Sequence, residues 1–158
     1  MFRELIRKKK QLSHVACVEV LESERRGVLS VIGDMGYPYG TPMNHFYNAE
    51  DGNIYFHCGK LGHRLDALRA CDKVSFTVYD AGVAEDGDWA LNVRSVIVFG
   101  RVEIIDDMAQ IAEISAKLSR KFIQDEEYIA KEIAAFGHET LLLKLTPEHI
   151  CGKLVKES

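Results

Sequence analysis

The sequence predicts a mainly β domain of about six strands with helices as covers and connections, on three observations. Stretches rich in β-branched and aromatic residues recur along the chain, separated by turns of glycine, asparagine and aspartate. Helical periodicity is confined to a few segments and lacks the regular strand-helix alternation of a doubly wound sheet. One stretch, Leu91 to Ile105, is long enough to suit a barrel. At 158 residues the chain reads as a single domain over 1–158, with 1–12 as a flexible basic arm.

Taken in order, Ser13 is placed to cap a first helix with Val15, Val18 and Leu21 on one face, Glu19 and Glu22 outward, and an end by Gly27. That helix is expected to cover an opening of the core. Val28 to Ile32 reads as a strand and Gly33-Asp34-Met35-Gly36 as a hairpin turn. In Tyr37 to Asn48, Pro38 and Pro42 each remove a backbone donor, so this strand belongs at an edge or breaks its ladder where a ligand can enter. Asn48 to Asn53 turns the chain into the next strand, Ile54 to Phe56. A short helix from Gly62 to Cys71 precedes Lys73 to Tyr79, where Val74, Phe76 and Val78 share one side. The acidic Asp80 to Asp88 is a loop, a lid or dimer contact, and Trp89 after it is read as a packing anchor. Leu91 to Ile105 carries a bulge at Gly100. Asp106-Asp107 starts a helix with Ile111, Ile114 and Leu118 at helical spacing, and a second runs from Asp125 to Phe136. His138 to Thr146 is the last strand, stopped by Pro147.

A net charge of -4, from 20 basic and 24 acidic residues, gives no general attraction to nucleic acid or anionic membrane. No segment approaches membrane-spanning length, so a soluble, cytoplasmic protein is expected. Cys17, Cys58, Cys71 and Cys151 form no CxxC pair and read as free thiols in a reducing compartment, with Cys17 and Cys71 as buried small hydrophobes.

Chemistry concentrates in IYFHCGKLGHRLDAL, residues 54–68, where a buried strand gives way through glycines to a helix. Gly59 and Gly62 permit close backbone approach, Lys60, His63 and Arg64 gather positive charge, and amides open outward at a helix start. That combination suits a phosphate; a plain turn with solvated basic residues is the simpler alternative. Neither GxGxxG nor GxxxxGK[ST] is present. A zinc site from His57, Cys58 and His63 with His45 is disfavoured, because adjacent strand residues point to opposite faces. Cys58 paired with a histidine as a nucleophile lacks an orienting residue.

The order PYGTPMNHFYN, IYFHCGKLGHRLDAL and SVIVFGRVEII resembles the FMN-binding split-barrel proteins related to pyridoxamine 5'-phosphate oxidase, and within them the branch that includes the 5-nitroimidazole resistance proteins. The resemblance covers nearly the whole chain. It implies a six-stranded split β-barrel and a homodimer with FMN at the subunit interface. Pro42, Met43 and Asn44 would lie along the flavin ring and ribityl chain, with His57 and Cys58 where ring and ribityl meet. His63 and Arg64 would hold the phosphate beside Lys60 and the Gly62 amide, and Ser95 and Val96 would face the flavin from the neighbouring subunit. His57 stands where those relatives have a histidine that handles substrate, which makes it the catalytic candidate. The implied activity is an FMN-dependent oxidoreductase or nitroreductase acting on a small, electron-poor, nitroimidazole-like molecule. The alternative is a non-catalytic flavin- or haem-binding protein of the same fold. Relatives commonly have lysine in place of Arg64 and an aromatic residue in place of Val93. HICGKLVKES lacks the arginine- and histidine-bearing substrate motif of the true pyridoxamine phosphate oxidases, so their activity is not expected.

Overall fold

In the computed structural model, which describes residues 1–157, the chain runs α1 (His14–Ser23), β1 (Arg26–Ile32), β2 (Pro38–Asn44), β3 (Phe46–Asn48), β4 (Asn53–Gly59), α2 (His63–Ala70), β5 (Lys73–Tyr79), β6 (Val83–Ala84), β7 (Leu91–Ile105), α3 (Met108–Ser119), α4 (Glu126–Phe136) and β8 (Thr140–Glu157). The strands pair antiparallel in the order β2-β1-β5-β7-β8-β4-β3, with β6 added to one end of β7. β2 and β3 hold the two ends of that order, yet only His45 separates them in sequence. The sheet therefore curls until its edges meet in one stretch of chain. Counting β2 and β3 as one wall, and leaving aside the two-residue β6, six strands enclose the core.

Alternation fills the barrel. Leu29 and Val31 of β1, Phe56 and Cys58 of β4, Phe76 and Val78 of β5, and Val96 and Val98 of β7 point inward, joined by Leu141, Leu143 and Leu145 of β8. Phe56 and Phe76 meet edge-on with centroids 4.9 Å apart. β4 and β8 are also buried on their outer faces, where Tyr55 and Leu142 pack under Ile111 and Ile114 of α3. Burial on both faces is why IYF and LLL read as unbroken apolar runs. Asp107 and Asp125 cap α3 and α4, their carboxylates accepting from the Gln110 and Tyr128 amides at 2.9 Å each. No helix among the described residues is long and apolar enough to cross a membrane.

α2 covers one end of the barrel, beside the β1–β2 turn, with Leu65, Ala67 and Leu68 in the core. α1 lies at the other end. Ser13 does cap it, but the buried face is Cys17, Val20 and Leu21, and Val15 is 67% exposed. Two apolar stripes compete at helical spacing in α1, and contact with β7 and β8 selects the one containing Cys17. There the imidazole of His45, fully buried, donates from Nε2 to the Leu21 carbonyl at 2.7 Å, and Lys121 Nζ donates to the carbonyls of His45 and Glu24 at 2.8 Å each. The ladder of the proline-bearing stretch thus breaks at His45, while Pro38 and Pro42 sit paired on an outer strand.

Two other expectations are corrected. β8 does not stop at Pro147 but continues to Glu157, pairing with β7 down to Leu91. Pro147 falls opposite Gly100 at a register shift where the ladder is interrupted, so its missing N–H breaks no regular bond. Trp89 is not a packing anchor within the chain: it is 79% exposed, beside a loop held by Asp80, which accepts from the Gly82 and Arg94 amides. The basic arm lies along β8, with Leu12 N–H donating to Gly152 O at 3.0 Å and Phe2 stacked on His149 at 4.9 Å.

Gly100 is the bulge's tight point. A Cβ there would overlap the Thr146 carbonyl oxygen and press on Leu145. Gly100→Ala is expected to lower stability by about 2 kcal/mol through overpacking, read as a fall in the denaturant midpoint at unchanged slope.

Candidate anion and cofactor site

β4 ends at Gly59 and the chain enters α2 through Lys60, Leu61 and Gly62. Gly62 holds φ at 130°, a conformation L side chains rarely adopt, and a Cβ there would meet nothing within 4 Å. No side chain caps α2, so its leading amides are open to a ligand. Arg64, in the first turn, reaches across to β2, where Nη1 donates to Thr41 Oγ1 at 3.2 Å. Its Nε is buried without a partner. The neighbouring lysine and arginine side chains both have acidic company: Lys60 lies 3.3 Å from Asp106 and Arg69 3.2 Å from Asp66. Arg64 alone of this group has no carboxylate partner among the described residues. His63 Nε2 accepts from the Asp34 amide at 3.2 Å, and its ring packs on Tyr39 at 4.3 Å. Cys58 sits beneath; burial pushes its thiol pKa up, against the opposing pull of Arg64.

The structure thus gathers Cys58, Gly62, His63 and Arg64 at one end of the barrel. Lys60 is nearby but turned to Asp106. Met43 lies inside the barrel, while Pro42 and Asn44 are on the outer face of β2. Ser95 is half-buried on β7, its hydroxyl 3.4 Å from the Lys153 carbonyl, and Val96 is fully buried in the core. His57 is separated from the basic turn by the pleat of β4. It faces outward and is exposed, at the mouth of a pocket of about 200 Å³ beside α3 and α4, and the partial desolvation it meets there lowers its pKa. Among the described residues no group of three His, Cys, Asp or Glu side chains converges as a metal site.

Thr41, Tyr39 and the Asp34 amide escaped the sequence reading as site residues. Thr41 lies inside the TPMN motif, and Tyr39 shares its face by the two-residue period of a strand, so the signal existed for both. Nothing local marks Asp34, which arrives through the hairpin turn.

No curated protein matches the sequence significantly. Among solved structures, a proposed 5-nitroimidazole antibiotic resistance protein of Bacteroides thetaiotaomicron is similar over 93% of this chain and 87% of its own, with TM-score 0.77 and 18% identity. A conserved hypothetical protein of Mycobacterium tuberculosis matches with TM-score 0.79 and 18% identity, covering 95% of this chain and 90% of its own. An FAD-binding protein of Mesorhizobium loti matches with TM-score 0.66 and 24% identity, covering 92% and 97%. At these identities the likeness is one of fold. The sequence profile described as pyridoxamine 5'-phosphate oxidase matches residues 13–154, nearly the whole chain, and the chain accordingly belongs to the pyridoxamine 5'-phosphate oxidase family.

Proposed function

We propose that this chain is a flavoprotein that holds FMN by its phosphate at the start of α2 and passes reducing equivalents to a small, electron-poor acceptor. The observation that carries the reading is Arg64: a guanidinium with one buried, unpartnered N–H and no carboxylate, beside an uncapped helix start. A buried donor left unpaired costs about 1–3 kcal/mol, and an oxyanion arriving there would remove that cost. The open space over Gly62 leaves room for it. Family membership supports a flavin, as does the fold shared with an FAD-binding protein. The acceptor class rests on the resistance protein with the same fold.

In this reading Arg64, the Gly62 turn, His63 and Lys60 bind the phosphate, and Pro42, Met43, Asn44, Cys58, Ser95 and Val96 belong to the stretches that line the rest of the cofactor. A second copy of this single-domain chain, 1–158, completes the site. Bound FMN would supply the exchange of electrons between donor and acceptor. His57 presents an uncharged imidazole that accepts or donates a hydrogen bond to substrate without adding charge.

The test is the visible spectrum of the purified protein, with mass analysis of whatever is released on denaturation. Flavin bands and released FMN are expected; a colourless protein that takes up no added FMN would sink the reading. His57→Ala is expected to retain flavin and lower turnover of a nitroaromatic substrate at least tenfold, read by steady-state kinetics. Loss of flavin from that variant would reassign His57 to cofactor binding.

A further inference from the structure

A second cleft lies where the last turn of α3 passes the end of α1 and the β3–β4 turn. Its volume is about 420 Å³, and its walls carry Phe46, Glu22, Glu50, Lys117 and Lys121. Benzene fits a cavity of about 150 Å³, so a small molecule has room here. None of these residues belongs to the basic turn or to the pocket beside His57.

The two lysines stand in opposite states. Lys117, in the last turns of α3, lies 3.0 Å from Glu113 and 3.3 Å from Glu50, and those bonds hold its ammonium charged. Lys121, just past the helix end, has no carboxylate within ion-pairing distance among the described residues. Its Nζ donates to the Glu24 and His45 carbonyls at 2.8 Å each, and burial lowers its pKa to about 8, against the weaker pull of Glu24 and Glu22. Near pH 7 roughly one such amine in ten is the free base, against fewer than about one in a thousand for an ordinary lysine at about 10.4. The free base has two N–H bonds, and both are used on carbonyls. Its lone pair is the one valence left without a partner, which is the condition of an amine nucleophile.

The charges of the cleft choose the electrophile. Glu22 and Glu50 outnumber Lys117, whose ammonium is already shared, so an anionic reactant is repelled and a cationic product stabilised. An uncharged aldehyde meets both conditions, because it enters neutral and becomes an iminium ion on nitrogen. Phe46, half-buried, offers it an apolar wall.

We propose that Lys121 captures small uncharged aldehydes in this cleft as a protonated imine. The Nζ lone pair forms a C–N bond to the carbonyl carbon. One N–H hydrogen and one proton from solvent leave with the carbonyl oxygen as water, and the nitrogen keeps one hydrogen and the positive charge. No oxidant or reductant takes part. The remaining N–H serves one of the two carbonyls, so capture leaves the other without its donor and loosens the end of α1 where the barrel closes. The inference goes beyond the flavin reading and does not depend on it.

The test is incubation of the full-length protein, as purified, with benzaldehyde and sodium cyanoborohydride near neutral pH, which fixes an imine as a benzylamine, followed by peptide mass spectrometry. Lys121 is expected to be labelled at least tenfold faster than the exposed Lys73, and this preference to shrink at least tenfold with the anionic 4-carboxybenzaldehyde. Lys121→Arg keeps donors toward both carbonyls and is expected to lose the fast label. Lys121 labelled no faster than Lys73, an undiminished preference with the anionic aldehyde, or a fast label that persists elsewhere in Lys121→Arg would each overturn the proposal. The peptide map of the parent protein decides even where the variant fails to fold.

Discussion

Arg64→Ala is expected to weaken FMN binding by about a hundredfold, close to 3 kcal/mol, while leaving the apoprotein's midpoint of unfolding within a few degrees of the parent. The two halves of that result have one physical source. In the chain alone the guanidinium bonds to the Thr41 hydroxyl and lies over the Cys58 thiol, and it buries an Nε–H that bonds to nothing, so its removal costs the fold little. Toward a phosphate the same group offers two or more donors in a fixed plane, and loss of a charge-assisted pair is correspondingly large. Arg64→Lys should recover part of the affinity, because charge returns without the fork. Equilibrium titration with FMN alongside thermal unfolding checks both halves. A variant that binds FMN as tightly as the parent would remove Arg64 from the site, and one that unfolds would make it structural.

Acidification from pH 6.5 to 4 is expected to cost the fold about 3 kcal/mol through His45 alone, at 1.36 kcal/mol for each unit of displacement. Burial first, and the charge of Lys121 second, lower the His45 pKa to about 4, against the bond to Leu21 that favours the charged form. Its Nε2–H is engaged with the Leu21 carbonyl, so the incoming proton must go to Nδ1, which is buried without a partner. In the unfolded chain the ring titrates near 6.5. The unfolded state therefore gains the proton first as pH falls, and stability present above pH 6.5 drains away down to pH 4. The effect is large because His45 closes the barrel, joining β2 to β3 and both to α1. His45→Gln can keep a donor toward Leu21 and does not titrate, so its stability should vary less across this window. Denaturant unfolding of both proteins at half-unit pH steps gives the difference, and parallel curves would show that His45 is not the group responsible.

The barrel and the basic turn were legible where local pattern and tertiary role coincide. β5 and β7 occupy the predicted residues because alternation, length and turn chemistry agree there. The strand-to-helix change at Gly59 to His63 was visible as a change of period, and the structure places Arg64 and Gly62 together as that change requires. What was hidden depends on partners distant in sequence. Pro147 is a stop signal only if its N–H would have been used, and the bulge against Gly100 removes that condition. The two apolar stripes of α1 cannot be ranked without knowing which strands lie beneath. His45 looks like one more histidine in an aromatic stretch until the sheet's two edges are found on either side of it. His57 and Cys58 were expected to serve one part of a flavin, and the pleat does send them to opposite faces; what could not be foreseen is that α3 and α4 stand beside His57.

The most direct measurement is a parallel fluorescence titration of the apoprotein with FMN and with riboflavin, which share every atom except the phosphate. A phosphate held by Arg64 and the start of α2 predicts that FMN binds at least a hundredfold more tightly, and that Arg64→Ala abolishes most of this difference. Equal affinity for the two, or no affinity for either, would contradict the assignment of the basic turn as a phosphate site.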